Sequence, residues 1–344
     1  MTTMLKPAYQ LTLGGQRWTE QVVRVTLSLA FAPMVNLLSA WFPATAPVAA
    51  VNGDDVELKL NNGETEELVF SGIIGTVQRS FTGIRVRCLD AGGLLARFRP
   101  SVSFEQVSAA TVIRNLAADM GITTDELEEG PTMPFYVADP SRTAWEHMAR
   151  VSAWGGALTR ATADNRVSAM VIDAGSAEYA LRYGREIVSL QADRLTSVVD
   201  AFTVAGEAGA GDASTPEVAR LTTDFFAGNR PQGPGLGNRW SFEPALRTVK
   251  AAGTAGAARK RHYVSGREAG RFKAFLLPQL RCGTVLEIQD LPDGLPGGPV
   301  WVSWVEHRLG QGTASTSVGF RQGGDRFDPM ALLGSLAGLG GGLL

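Results

Sequence analysis

The chain has 344 residues, 44% of them hydrophobic and 19% charged, so it can bury a large core and is expected to fold as two or three units. A formal net charge of -2 gives no global attraction to nucleic acid or acidic membranes, which sets aside functions that depend on such a field. Cys88 and Cys282 lie far apart in strand-like segments and read as two buried reduced thiols, which fits assembly in a cytoplasm.

Met1 to Lys6 lack the basic region and apolar core of a signal peptide, and no apolar run is long enough to span a bilayer. Neither secretory export nor membrane binding is expected. The first block, from about Tyr9 to Phe98, has the pattern of a β-meander. Gly14-Gly15 is a turn, and Trp18, Val22, Val23, Val25, Leu27 and Leu29 suggest an opening strand pair. Residues 51–55 and 61–63 turn around an alternating strand at 56–60. Residues 68–78 carry Gly72 and Gly75 where a strand would bend or bulge, and 83–89 supply another alternating strand. Short strands with such glycines predict a small barrel.

Two helices then interrupt the β pattern. Ser103 and Gln106 form a capping box before an apolar face of Val107, Ala110, Ile113, Leu116 and Met120, with Gly121 at the end. The second helix takes Asp139 as N-cap and Pro140 as first helical residue. It turns Trp145, Met148, Val151 and Trp154 to the core and stops at Gly155-Gly156. A hairpin follows, with 157–162 and 167–172 flanking Asp164-Asn165.

β-character returns at 187–190 and 198–204, then gives way to two irregular tracts at 206–214 and 228–237. Leu221, Phe225 and Phe226 lie between these tracts and are costly to expose, so they are expected to dock on a neighbouring subunit or another protein. An alanine-rich helix at about 245–261 precedes strands at 272–276, 283–288, 300–307 and 314–320. Alternation puts Val300, Val302 and Trp304 on one face and Trp301, Ser303 and Val305 on the other, so this strand should be covered on both sides. In the tail, Met330, Leu333, Leu336 and Ala337 can share a face of a short helix that its glycines leave weak without a partner.

Three segments, in this order and spacing, carry a family resemblance. They are Phe70 to Val77; Ser141 to Gly156 with its following strand; and Pro278 to Ile288 leading to Val302–Leu309 and Thr313–Thr316. The chain resembles the baseplate hub proteins of contractile phage tails, the late-control D family, related to the hub part of the valine-glycine-repeat spike proteins of type VI secretion. The resemblance implies a mainly β fold with an α+β insert: two small tube-type β-barrels separated by a helix-containing middle domain. The expected divisions are 1–98 (first barrel), 99–184 (middle domain), 185–327 (second barrel with long loops and a helix) and 328–344 (apolar tail).

The resemblance further implies a homotrimer in the virion tail baseplate. It would adapt a hexameric tail tube to a trimeric central spike, touch other baseplate proteins, and pass DNA or tape-measure protein through its lumen. No catalysis or cofactor is implied. The chain departs from the spike-fused members in having no room after the second barrel for a neck and needle, so its spike would be a separate protein.

The chemistry-bearing residues point the same way. His147, His262 and His307 are isolated and show no zinc spacing. Gly14-Gly15 and Gly323-Gly324 lack the lysine and hydroxyl of a phosphate loop. The acidic pairs Asp54-Asp55, Glu66-Glu67 and Glu128-Glu129 invite a glycosidase reading, yet adjacent residues in turns need not face one site. Arg259, Lys260, Arg261, Arg267, Arg271 and Lys273 could meet phosphates, or form a solvated helix end or salt bridges. The other class left open is a carbohydrate-binding or cell-wall-degrading tail component, for which Trp301 and Trp304 would be an aromatic platform.

Overall fold

The computed structural model describes residues 6–194, 201–206, 238–266, 268–292, 298–310 and 312–322. Seven strands open the chain: β1 (Ala8–Leu13), β2 (Gln16–Trp18), β3 (Arg24–Ala30), β4 (Leu37–Phe42), β5 (Asp55–Asn61), β6 (Glu66–Ser80) and β7 (Gly83–Leu89). They pair antiparallel in the order β3-β4-β7-β6-β5-β1-β2. Alternation buries Val25, Leu27 and Leu29 of β3 and Val56, Leu58 and Leu60 of β5. Four strands separate β4 from β2 in this order, yet Phe42 meets Trp18 edge-on with ring centroids 4.9 Å apart, so the sheet curls on itself.

The predicted glycine bend is in β6. This strand pairs with β5 up to Ile73 and with β7 from Ile73 onward, and its register shifts across Gly75. At Gly72 an added Cβ would lie 2.2 Å from the Leu89 carbonyl oxygen, a backbone atom that cannot move aside, so the close approach requires glycine.

The middle block comprises α1 (Ala91–Leu95), β8 (Val102–Ser108), α2 (Ala109–Ala118), β9 (Thr124–Leu127), β10 (Thr132–Ala138), α3 (Ala144–Gly155), β11 (Leu158–Ala161) and β12 (Val167–Met170). Two helix starts differ from the sequence expectation. Ser103 to Gln106 belong to β8, where pairing with β10 overrides the local capping pattern. Ser108 caps α2 instead, its hydroxyl accepting from the Thr111 N–H at 3.2 Å. Because α2 ends at Ala118, Met120 lies beyond it and is exposed.

Thr143, not Asp139, caps α3. Its hydroxyl accepts from the Glu146 N–H at 3.3 Å, while the Glu146 carboxylate accepts from the Thr143 N–H at 2.7 Å. Asp139 holds the preceding turn, accepting from the Ser141 N–H at 2.9 Å. Gly156, left-handed at φ 83°, ends the helix as expected. The predicted face of Trp145, Met148, Val151 and Trp154 is buried, and β11 and β12 form the predicted hairpin with Asn165 at φ 65°.

The rest of the chain supplies β13 (Tyr179–Arg182), β14 (Ile187–Arg194), β15 (Ala201–Ala205), β16 (Asn238–Phe242), α4 (Val249–Ser265), β17 (Glu268–Phe275), β18 (Val285–Gln289), β19 (Pro299–Gly310) and β20 (Thr313–Gln322). Six of these follow the order β13-β18-β19-β20-β17-β14. A tight turn joins β13 to β14, with the Gly184 N–H donating to the Ile187 carbonyl at 2.9 Å, which brings the two ends of this order together without a β13–β14 ladder. Helix α4 lies within residues 185–327, yet Ala251 and Ala255, with Val204 and Leu246, join the core of the middle block.

β19 is shared. Pro299–Trp301 pair with β18, residues from Trp304 to Gly310 pair with β3, and β20 runs along the other edge throughout. Where the partner changes, the register with β20 shifts between Val302 and Trp304. That bulge corrects the alternation read from sequence. Val300, Val302, Val305 and Leu309 enter the core, whereas Trp304 stays 39% exposed over Gly319.

Two glycines test this packing in opposite directions. Gly253 is exposed in α4 with nothing within 4 Å of an added Cβ, so Gly253→Ala should raise unfolding stability by up to about 1 kcal/mol. Gly72→Ala, at the β6 corner, should lower it by about 1–3 kcal/mol. Urea unfolding of both variants checks the pair.

Candidate assembly surfaces and buried polar sites

The residues expected from sequence to meet partners are Leu221, Phe225, Phe226, Met330, Leu333, Leu336 and Ala337, and all lie outside the described residues. Just after the first group in sequence, β16 presents a surface that sequence reasoning missed. β16 pairs parallel with β15, and its Trp240 and Phe242, two residues apart on one face, are 48% and 53% exposed. The signal was legible as aromatics at strand spacing directly after the irregular tract. Trp301, by contrast, is buried, so β19 does not offer two aromatic rings to a sugar.

The basic run divides by use. Glu243 accepts from Arg150 Nη2 at 2.7 Å and also pairs with Arg259, tying α3 to α4 through one carboxylate. Arg261 reaches the Gly155 carbonyl at 3.4 Å, and Arg271 donates to Gln191 at 2.9 Å. Arg267 lies outside the described residues. In the acidic pairs, Asp54 accepts from the Val51 N–H at 2.9 Å within a turn, while Asp55, Glu66, Glu128 and Glu129 are exposed.

Two histidines are interior posts. His147 sits on the buried face of α3, its Nδ1 2.6 Å from the Tyr136 hydroxyl and its Nε2 2.9 Å from the Asp139 carbonyl oxygen. These two contacts fix the loop before α3 to the middle core. His307 on β19 lies fully buried in the barrel core with Nδ1 3.0 Å from the Thr316 hydroxyl, and burial pushes its pKa down to about 3. His262 is exposed, with its Nε2 3.2 Å from Arg321 Nη1. Cys88 and Cys282 are free and buried, and burial raises both thiols to about 12, far from the reactive thiolate range. Among the described residues no three His, Cys, Asp or Glu side chains stand together as a metal site.

Asp90 is the interior carboxyl that the sequence did not single out. It caps α1, accepting from the Gly93 N–H at 3.0 Å, and accepts from Asn36 Nδ2 at 2.7 Å; Asn36 in turn accepts from the Ala30 N–H at 2.8 Å. Burial raises its pKa to about 6 against the lowering effect of these hydrogen bonds. The Asp-Ala-Gly-Gly sequence is consistent with a cap, but Asn36 lies 54 residues away and no local pattern announces it.

Comparison with solved structures identifies this architecture. A 43 kDa tail protein of prophage MuSo2 from Shewanella oneidensis matches with a TM-score of 0.66 at 12% identity, over 92% of this chain and 98% of that one. A tail protein from Neisseria meningitidis matches with a TM-score of 0.70 at 12% identity, over 92% and 96%. An Escherichia coli type VI secretion component, described as similar to the T4 tail proteins gp27 and gp5, matches with a TM-score of 0.61 at 12% identity, over 92% and 78%. No protein-family model matches the sequence, and no curated protein matches it. The chain has the mainly β fold of these tail proteins, with two barrels and a helix-containing middle.

The two shifted groups act oppositely with pH. Asp90, raised from 3.8 to about 6, contributes stability that is full below 3.8 and lost as pH rises through 6. His307, lowered from 6.5 to about 3, contributes stability that is present above 6.5 and lost as pH falls toward 3. Asp90→Asn keeps the cap and removes the buried charge, so its stability advantage over the parent should be largest at pH 8 and shrink toward pH 4. His307→Gln should lose less stability than the parent between pH 6.5 and 4. Denaturant unfolding at each pH checks both.

Proposed function

We propose that this protein is a structural baseplate hub of a contractile tail, a homotrimer that adapts a hexameric tail tube to a trimeric spike. The observation that carries the reading is the duplication. Two curled barrels are fused in one chain through β19, in a fold shared with phage tail and type VI secretion proteins. Three copies would offer six barrels to a sixfold tube ring and three chains to a threefold spike, resolving the mismatch by closed symmetry. In this reading the chain is not an enzyme, it sits in the virion tail baseplate, and its lumen passes DNA or cargo.

The division into a first barrel at 1–98, a middle domain at 99–184, a second barrel at 185–327 and a tail at 328–344 belongs to the same proposal. So do the partner contacts of Leu221, Phe225 and Phe226, and of the tail face around Leu333. Trp240 and Phe242 extend the first of these apolar surfaces.

Mass measurement and imaging of the assembled particle test the reading. Three copies in a ring between tube and spike are expected, and truncation after Phe327 should leave tube binding intact while spike retention falls. One copy, or six, in the particle would remove the central argument. Saturable binding to peptidoglycan by the isolated chain would favour the carbohydrate-binding class instead.

A further inference from the structure

Where the two barrels meet the middle block, a cavity of about 90 Å³ is lined by Leu29, Phe70, Asp90, Arg160, Arg281 and Cys282, among others. Two guanidinium groups line it. Arg160 donates through Nε to the Ser168 hydroxyl at 3.4 Å and through Nη1 to the Cys282 carbonyl. Arg281 donates through Nη1 to the Pro278 carbonyl and to the Leu280 carbonyl at 3.1 Å, and through Nη2 to the Leu68 carbonyl at 2.8 Å. Every one of these acceptors is neutral.

Among the described residues, no carboxylate lies within 4.0 Å of either guanidinium. Asp90, on the wall of the same cavity, commits its oxygens to Gly93 and Asn36. Burial is the main cause that lowers both arginine pKa values; nearby carboxylates raise both, and Arg160 adds a smaller lowering effect on Arg281. Glu178, Asp125 and Glu126 offset the charge of Arg160, and Glu67 that of Arg281, from beyond ion-pair distance, so two like charges share the cavity wall with no anion in direct contact. Arg160 Nη2 and Arg281 Nε remain without a partner among the described residues.

We propose that this cavity binds one small tetrahedral oxyanion, of the phosphate or sulfate class, between Arg160 Nη2 and Arg281 Nε. One nitrogen on each guanidinium is left to donate to such an ion, and charge-assisted bonds of this kind are the strong ones. A cavity of this size, about three waters by volume, admits a free ion but not a nucleic acid backbone. The bound ion links β11 of the middle block to the loop that carries Arg281 into the second barrel, and so tightens the junction.

The test uses the full chain and inorganic phosphate, with sodium chloride holding ionic strength constant. Equilibrium dialysis should give one saturable phosphate per chain, displaced by sulfate, and saturation should raise the Tm by about 2 °C or more. Arg160→Lys keeps the charge but cannot hold Ser168 and the Cys282 carbonyl while donating to the ion, and should weaken phosphate binding at least about tenfold. Should that variant fail to fold, the wild-type stoichiometry decides alone. Uptake that does not saturate, a Tm no higher in phosphate than in chloride, or unchanged affinity in a folded Arg160→Lys would overturn the proposal.

Discussion

The architecture depends on β19 pairing with two barrels at once. A strand in register with one neighbour keeps a strict alternation of faces, and a barrel wall keeps the same neighbour along its length. β19 breaks both rules within two residues of Ser303, where it leaves β18, takes up β3 and shifts against β20. The bulge costs one ladder position and returns Val305 to the core face, so one continuous hydrophobic cluster runs from Leu11 of the first barrel to Phe320 of the second. Gly319 is the matching requirement on β20, since any side chain there would collide with the Trp304 indole. The two barrels are therefore joined by hydrogen bonds and shared core rather than by a linker.

The middle block is fastened to this frame by polar contacts at several points. Trp145 Nε1 donates to the Met34 carbonyl at 2.8 Å, and the Ala32 N–H donates to the Thr159 carbonyl at 2.8 Å. Asn36, Asp90 and Arg160 act at the same seam. Hydrogen bonds of this kind contribute about 1 kcal/mol each, but they are directional, so they set the angle between units that apolar packing alone would leave loose. Helix α4 joins this fixed set because Glu243 draws Arg150 and Arg259 to the same carboxylate.

What could be read from sequence follows from the range of each interaction. The meander, the glycine corner of β6, the apolar face of α3 and the hairpin at Asn165 are set by residues close together in the chain, and they were legible. The helix starts were misplaced because the patterns at Ser103 and Asp139 are locally adequate caps. Pairing of β8 with β10, and the better capping box at Thr143, outweighed them. The faces of β19 were misread for the same reason, since a bulge is decided by two partners distant in sequence. Asp90 with Asn36, and Arg281 with Leu68, are 54 and 213 residues apart and become neighbours only in the folded chain.

The interior ionisable groups of His147, His307 and Asp90 are committed to contacts within the fold. A reactive site sets a group near neutrality beside a substrate-sized cleft, with a second group oriented to exchange its proton. Here His307 is held neutral by burial, both thiols are held protonated, and His147 bridges a phenol to a backbone carbonyl with no ring nitrogen left over. Burial raises the Asp90 pKa to about 6, and both its oxygens are engaged in fixing α1 and the loop that bears Asn36. His147 and Asp90 each link separate elements through hydrogen bonds, and breaking one of these leaves a buried polar atom unpaired. Asp90 with Asn36 does this where the middle block meets the first barrel, while His147 and His307 fix the interior of one unit each.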